Sequence, residues 1–211
     1  MLLPGGEAFP EPVPWKKVVD KHNRELKRTR KYIRARQKKS PFELLFLELF
    51  ETFYEEGRIV WERLGQFDEE SLLCRVEKEG QLCHGEFTYH NLIHYRGSVA
   101  VLNFDKTHYG VQIDDFYQYF RKVMEKNNWS VPLAKKVLAV YKDCRGMAAQ
   151  EEAYLYFRFS YPDKFWKLAN HYFNGSKSRL IEKGQDKLEI LRCQNEKRRE
   201  FLSFLEVFGK M

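Results

Sequence analysis

Along residues 13–39 the positions Trp15, Val18, Val19, His22, Leu26, Thr29, Tyr32 and Ile33 recur at three- and four-residue spacing. That is the stripe of an amphipathic helix whose other faces are Lys and Arg. Ser40 followed by Pro41 reads as an N-cap and a first-turn proline, so a second helix is predicted over 41–64. Its apolar residues run nearly all round, from Phe42 and Leu44 through Phe50, Phe53 and Tyr54 to Val60 and Trp61, which marks a central, buried helix. A short acidic helix follows over 69–79. The texture then changes: 81–84 and 92–95 read as short strands, Arg96-Gly97 as a turn, and 99–104 (VAVLNF) as a buried strand. Helices resume over 113–126, 132–142, 148–159 and 162–173, with a long polar one over 176–208. The pattern predicts a helical domain wrapped around a small β-hairpin region, preceded by an extended Pro/Gly-rich leader over 1–12.

Composition narrows this picture. The chain has 211 residues, 43% of them hydrophobic and 32% charged, enough apolar content for a core and for one domain or one large lobe. Only 12 Gly and 7 Pro argue against an all-β sandwich or barrel. No apolar run reaches the length of a membrane span, and the N-terminus lacks the basic and apolar regions of a signal peptide. The four cysteines form no CxxC pair, which suits free thiols in a reducing compartment. The net charge of +7 comes from residues 1–40, where 12 Lys/Arg against 4 Asp/Glu give +8, while the remainder, 25 against 26, carries −1. The basic helix has neither a row of stacking aromatics nor a reader motif. It is therefore read as a solvated face, and nucleic acid is not an expected partner.

The candidate chemistry lies in His84-Gly85-Glu86-Phe87-Thr88-Tyr89-His90-Asn91, followed by 99–104 and Asp105. Protein kinases carry a catalytic loop H-R-D-L-x-x-x-N, whose Asp accepts the substrate hydroxyl proton and whose Asn binds magnesium. The His, a carboxylate at the third position and the Asn at the eighth keep that spacing here. A His-Gly-Asp form of this loop marks the aminoglycoside phosphotransferase type of kinase-like protein. LCHGEFTYHNLI with VLNFDKTHYGVQIDDFYQYFRKVMEKNNW further resembles the CotS family of spore-coat-associated kinase-like proteins. The resemblance runs from about Trp15 to the C-terminus and is specific between Leu82 and Trp129. It implies an α+β, predominantly helical fold: the C-terminal lobe of an aminoglycoside phosphotransferase or protein-kinase-like fold over 13–211, with a small β-hairpin region. It also implies that Glu86 stands at the catalytic-base position, that His84 braces the loop, and that Asp115 supports it from behind. Asn91, Asn103 and Asp105 would be the magnesium ligands of an active form.

Three departures point away from activity. Glu86 replaces the catalytic Asp, and its extra methylene moves the carboxylate when catalytic groups must sit within about 0.5 Å of productive geometry. Asn103 stands where the second metal-binding Asp belongs and is a weaker ligand for a hard cation. Asp105, at the same strand parity, is a candidate substitute, and the sequence leaves open whether it replaces Asn103. Finally, the 83 residues before His84 read as mostly helix, with no Gly-rich loop and no strand bearing a phosphate-pairing Lys, so the N-terminal nucleotide-binding lobe is expected to be absent. The resulting expectation is a spore-coat structural or assembly protein built on a degenerate phosphotransferase, inactive as this chain and needing no cofactor. Its place would be the mother-cell cytoplasm and then the coat, with other coat proteins or a second copy as partners. The alternative is an ATP- and magnesium-dependent phosphotransferase acting on a small molecule or a polysaccharide. His90 and His94 cross a loop-to-strand junction and are read as packing residues rather than metal ligands, and Cys83 as an inert buried thiol.

Overall fold

The computed structural model describes residues 12–174 and 177–208, so the leader expected over 1–12 lies almost wholly outside the described residues. In chain order the elements are α1 (Trp15–Ala35), α2 (Pro41–Leu64), α3 (Glu69–Glu79), β1 (Leu82–Cys83), β2 (Leu92–Tyr95), β3 (Ser98–Val101), β4 (His108–Tyr109), α4 (Ile113–Lys126), α5 (Val131–Arg145), α6 (Ala149–Ser160), α7 (Asp163–Asn174) and α8 (Lys177–Phe208). Short 3₁₀ turns occupy Tyr89–Asn91 and Phe104–Lys106. The fold is α+β and predominantly helical, with two small antiparallel sheets among the described residues. Sequence predicts one lobe over 13–211; the chain resolves into two compact units, one of Trp15–Phe67 with Ser160–Ser203, the other built mainly from Asp68–Phe159. Among the described residues no helix is long and apolar enough to cross a membrane.

The first unit is all helix. The α1 stripe appears as expected: Trp15, Val19, Leu26 and Ile33 are buried, while Lys17, Lys21, Arg28, Lys31 and Arg34 face solvent. The predicted cap of α2 is a full capping box: Glu43 N–H donates to Ser40 Oγ at 3.3 Å and Ser40 N–H to Glu43 Oε2 at 2.6 Å. Phe42, Phe46, Phe50 and Phe53 of α2 are fully buried against Phe165, Leu168 and Tyr172 of α7, with Phe46 and Phe165 stacked at 4.9 Å. Truncating any of these Phe side chains to Ala would cost about 3–5 kcal/mol. The apolar girdle of α2 is not wholly buried, however; Leu44 remains 56% exposed. Glu43 is the unexpected core member. Its carboxylate also accepts the Tyr172 hydroxyl at 2.6 Å and lies 3.0 Å from Arg36. Burial raises its pKa, but the hydrogen bonds from Tyr172 and Ser40 and the Arg36 charge outweigh that, leaving it below the usual carboxylate range.

The second unit holds both sheets. The Asp68 side chain caps α3 by accepting Ser71 N–H at 3.0 Å, and Gly80 ends it in the left-handed region. β1 pairs antiparallel with β4, Leu82 opposite Tyr109 and Cys83 opposite His108. β2 pairs with β3 across the predicted turn, where Arg96 and Gly97 both have positive φ, as a two-residue type I′ hairpin requires. Two expectations fail here. The run 99–104 is not one buried strand: β3 ends at Val101, Val99 is 53% exposed and Phe104 59% exposed. The helices likewise do not wrap the hairpin, which stays at the surface. An apolar run reads alike in a buried strand and in a solvent-facing hairpin, because burial depends on what packs against it. Below the sheets, Phe116 of α4 stacks on Tyr141 of α5 at 3.8 Å, and Phe120 meets Phe159 of α6 edge-on at 5.1 Å. Phe116, Tyr117, Phe120, Trp129, Tyr154 and Phe159 are thus core, while Tyr119, Tyr141, Tyr156 and Phe157 are half-buried.

Candidate functional site

Where β1 ends, the chain turns sharply and its backbone is pinned by the first turn of α4. The Asp115 carboxylate accepts His84 N–H at 2.5 Å and Gly85 N–H at 3.0 Å. Gln118, one helical turn along, donates from Nε2 to the Gly85 carbonyl at 3.2 Å. Gly85 has φ +79°, and a Cβ there would lie 2.2 Å from the Lys106 carbonyl oxygen, so the loop passes the chain after β3 at a distance only glycine permits.

His84 is buried, and its hydrogen bonds settle its tautomer. Nδ1 accepts Glu86 N–H at 3.1 Å, so the ring proton sits on Nε2, which donates to the Leu102 carbonyl at 2.8 Å. The ring is flanked by Phe104 and Phe87, with centroids 4.8 and 5.9 Å away. With both nitrogens engaged, His84 ties the loop to the segment after β3.

Asn91, also buried, is used at both ends of its amide. Nδ2 donates to the Glu86 carbonyl at 2.8 Å, and Oδ1 accepts from Asn103 Nδ2 at 2.9 Å. Asn103 has φ +62°, a left-handed conformation that Asn tolerates better than most side chains and that turns its amide toward Asn91. The Glu86 carboxylate meets Lys106 Nζ at 3.0 Å; the two side chains are 48% and 62% exposed, so the pair adds at most about 1 kcal/mol yet neutralises the loop's only acid. Asp105 is exposed in its 3₁₀ turn and has neither a hydrogen bond nor an ion pair among the described residues.

The structure therefore joins His84, Glu86, Asn91, Asn103 and Asp115 in one bonded network and leaves Asp105 beside it. Sequence reasoning missed Lys106, Gln118 and His108, whose Nδ1 lies 2.9 Å from the Lys106 carbonyl. Only Gln118 carried a usable signal, its three-residue spacing from Asp115 on one face of α4. Next to the loop, an open groove of about 370 Å³ is lined chiefly by Leu82, Phe87, Val101, Phe104, Phe116 and Tyr141. Cys83 is buried; desolvation, then the Asp115 and Asp114 charges, push its thiol well above the ordinary range, which makes it inert. Asp114 is also raised by burial, despite Arg158 at 3.1 Å and the Tyr154 hydroxyl at 3.3 Å. Among the described residues no group of three or more His, Cys, Asp or Glu could hold a metal, and His90 and His94 are both exposed.

A solved aminoglycoside phosphotransferase from Alicyclobacillus acidocaldarius subsp. acidocaldarius DSM 446 matches this architecture with a TM-score of 0.80 and 18% identity, covering 94% of this chain. The fold is aminoglycoside phosphotransferase-like. The chain spans 59% of the length of that phosphotransferase. No protein-family model matches the sequence, and no curated protein matches it either.

Proposed function

We propose that this chain is the C-terminal lobe of a kinase-like protein that keeps the catalytic-loop scaffold without phosphoryl transfer, serving as a structural or assembly protein of the spore coat within the CotS family. The observation that carries this reading is the Asn91 amide. Its oxygen, the atom a magnesium ion would need, is occupied by Asn103 Nδ2, and its nitrogen is held by the Glu86 carbonyl. Magnesium is usually bound through one or two carboxylates plus substrate phosphates. Here Asn103 is neutral, the Glu86 carboxylate is exposed and paired with Lys106, and Asp105 has no partner among the described residues. This donor set does not fit magnesium. The protein–protein hydrogen bond takes the place of the ion, so the loop holds its shape without a cofactor. On this reading the protein belongs to the mother-cell cytoplasm and then to the coat, and its partners are coat proteins or its own copies.

A second reading, an ATP-dependent phosphotransferase acting on a small molecule or a polysaccharide, draws support from the likeness to a phosphotransferase and from the bracing of the loop by Asp115. It would use Glu86 as base and Asn91 with Asp105 as ligands. It requires Lys106 to leave Glu86 and Asn103 to release Asn91. Titrating the purified chain with ATP and magnesium, alone and together, separates the two. The scaffold reading expects no nucleotide binding and no turnover; magnesium-dependent ATP hydrolysis or transfer refutes it.

A further inference from the structure

We propose that this chain forms a two-fold symmetric dimer in which the open edge of β3 pairs antiparallel with β3 of a second copy. Among the described residues the β2–β3 sheet has two strands, so each presents an edge that none of them pairs, and such edges template pairing with another chain unless charge, proline or cover blocks them. β3, Ser98-Val99-Ala100-Val101, carries no charge and no proline, and its first three residues are exposed. Nothing in its own sequence blunts the edge.

The hairpin register says which groups are available. Tyr95 faces Ser98 across the two-residue turn, which makes that pair and Ile93–Ala100 the hydrogen-bonded ones. The bond from Leu102 N–H to the Asn91 carbonyl at 2.9 Å continues the same parity. Ser98 and Ala100 therefore spend their backbone groups on β2, while Val99 and Val101 aim theirs outward.

A two-fold axis through Ala100 satisfies all of these at once. Val99 of each copy exchanges hydrogen bonds with Val101 of the other, and the two Ala100 side chains meet at the non-hydrogen-bonded position, where strands approach closest, at about 4.5 Å between Cα atoms. A methyl group suits that spacing. The corresponding axis on the β2 edge would pass through Ile93 and set two bulky side chains there, with His94 among the outward-facing residues. On the Val99 face, four valines then cluster across the junction, and the partner's Val99 lies against Val101, which lines the apolar groove beside the loop.

Charge agrees with this register. Counted outward from Ala100, the register sets Arg96 at the turn of one copy opposite position 104 of the other, just past the end of β3. There Asp105 is exposed and unpartnered among the described residues, and Arg96 contacts only its own Tyr95 ring. The occupant that fits this edge in both hydrogen bonding and charge is the chain itself. The inference stands whether or not the loop catalyses anything.

The test is sedimentation analysis of the full chain across a wide concentration range, with Val99→Pro as the main variant. Proline at 99 removes only an outward N–H and leaves every β2–β3 bond in place, so the hairpin should survive. The wild type should show a monomer–dimer equilibrium, with Val99 and Val101 amides gaining exchange protection as concentration rises. Val99→Pro, losing two of the symmetric hydrogen bonds and crowding a third, should weaken it by about tenfold or more. Should that variant fold poorly by circular dichroism, charge exchange decides instead: Arg96→Glu and Asp105→Lys each weaken the dimer, and the double variant restores it. A wild type that stays monomeric throughout, a dimer untouched by a well-folded Val99→Pro, or a double variant no better than its singles overturns the proposal.

Discussion

At the candidate site the Asp115 carboxylate holds the backbone of the loop from the first turn of α4. The Asp115→Ala variant loses two charge-assisted hydrogen bonds, to His84 N–H at 2.5 Å and Gly85 N–H at 3.0 Å. Hydrogen bonds to a charged group contribute about 1.5–3 kcal/mol each, and a buried N–H left without an acceptor carries its own desolvation cost. Against this, the loop keeps the bond from Gln118 to the Gly85 carbonyl and the His84 bridge to Leu102, and water can reach half-buried Gly85 more easily than buried His84. The net loss should be about 2–4 kcal/mol. Asp115→Asn retains one acceptor oxygen but turns an amide donor toward the second N–H, so it should fall between wild type and Ala. Denaturant unfolding gives the magnitudes, and amide exchange locates them. Exchange at His84 and Gly85 should accelerate far more than in the α2 core. If Asp115→Ala costs under about 1 kcal/mol with those two amides still protected, then the carboxylate is not what holds the loop.

Three further outcomes follow from the same geometry. Gly85→Ala, which sets a Cβ 2.2 Å from the Lys106 carbonyl at φ +79°, should destabilise by about 2 kcal/mol or more in thermal unfolding, and a neutral effect would mean that the loop is looser than described. Asn103→Asp replaces the donor facing Asn91 Oδ1 with a second acceptor; it should cost about 1–2 kcal/mol without divalent cations and regain part of that on adding magnesium, whereas the wild-type unfolding midpoint should not respond to magnesium at all. His22, stacked on Trp166, has its pKa lowered from 6.5 to about 4, chiefly by burial. Because its folded pKa lies below the unfolded one, the unfolded chain binds the extra proton between these values. Stability is therefore full above pH 6.5 and declines as pH falls toward 4, and His22→Gln should flatten that part of the stability–pH curve; an unchanged slope would assign it to other groups.

What the sequence determined by itself is the set of features whose causes lie within a few residues. The bounds of α4 were legible from its pattern, α3 as a short acidic stretch, the Ser40-Pro41 start of α2 from its cap, and the Arg96-Gly97 turn from its chemistry. The spacing His84, Glu86, Asn91 was legible as a loop motif because its members share one short segment. Tertiary structure decided everything that needs two distant segments to meet. Asp115 reaches the backbone of His84 from 31 positions away, and Asn103 closes on Asn91 from 12. Lys106 settles on Glu86, and two-residue β4 exists only because β1 is there to pair with it. The resemblance to kinase-like proteins anticipated Asp115; it could not show that a second asparagine, a neutral residue able to donate, would occupy the oxygen of the first. Glu43 makes the same point in the helical unit. Its capping role is local and readable, but its burial beneath Tyr172 depends on where α7 packs. Caps, turns and periodicity act between neighbours along the chain, whereas burial and side-chain pairing follow from the path that brings remote neighbours together.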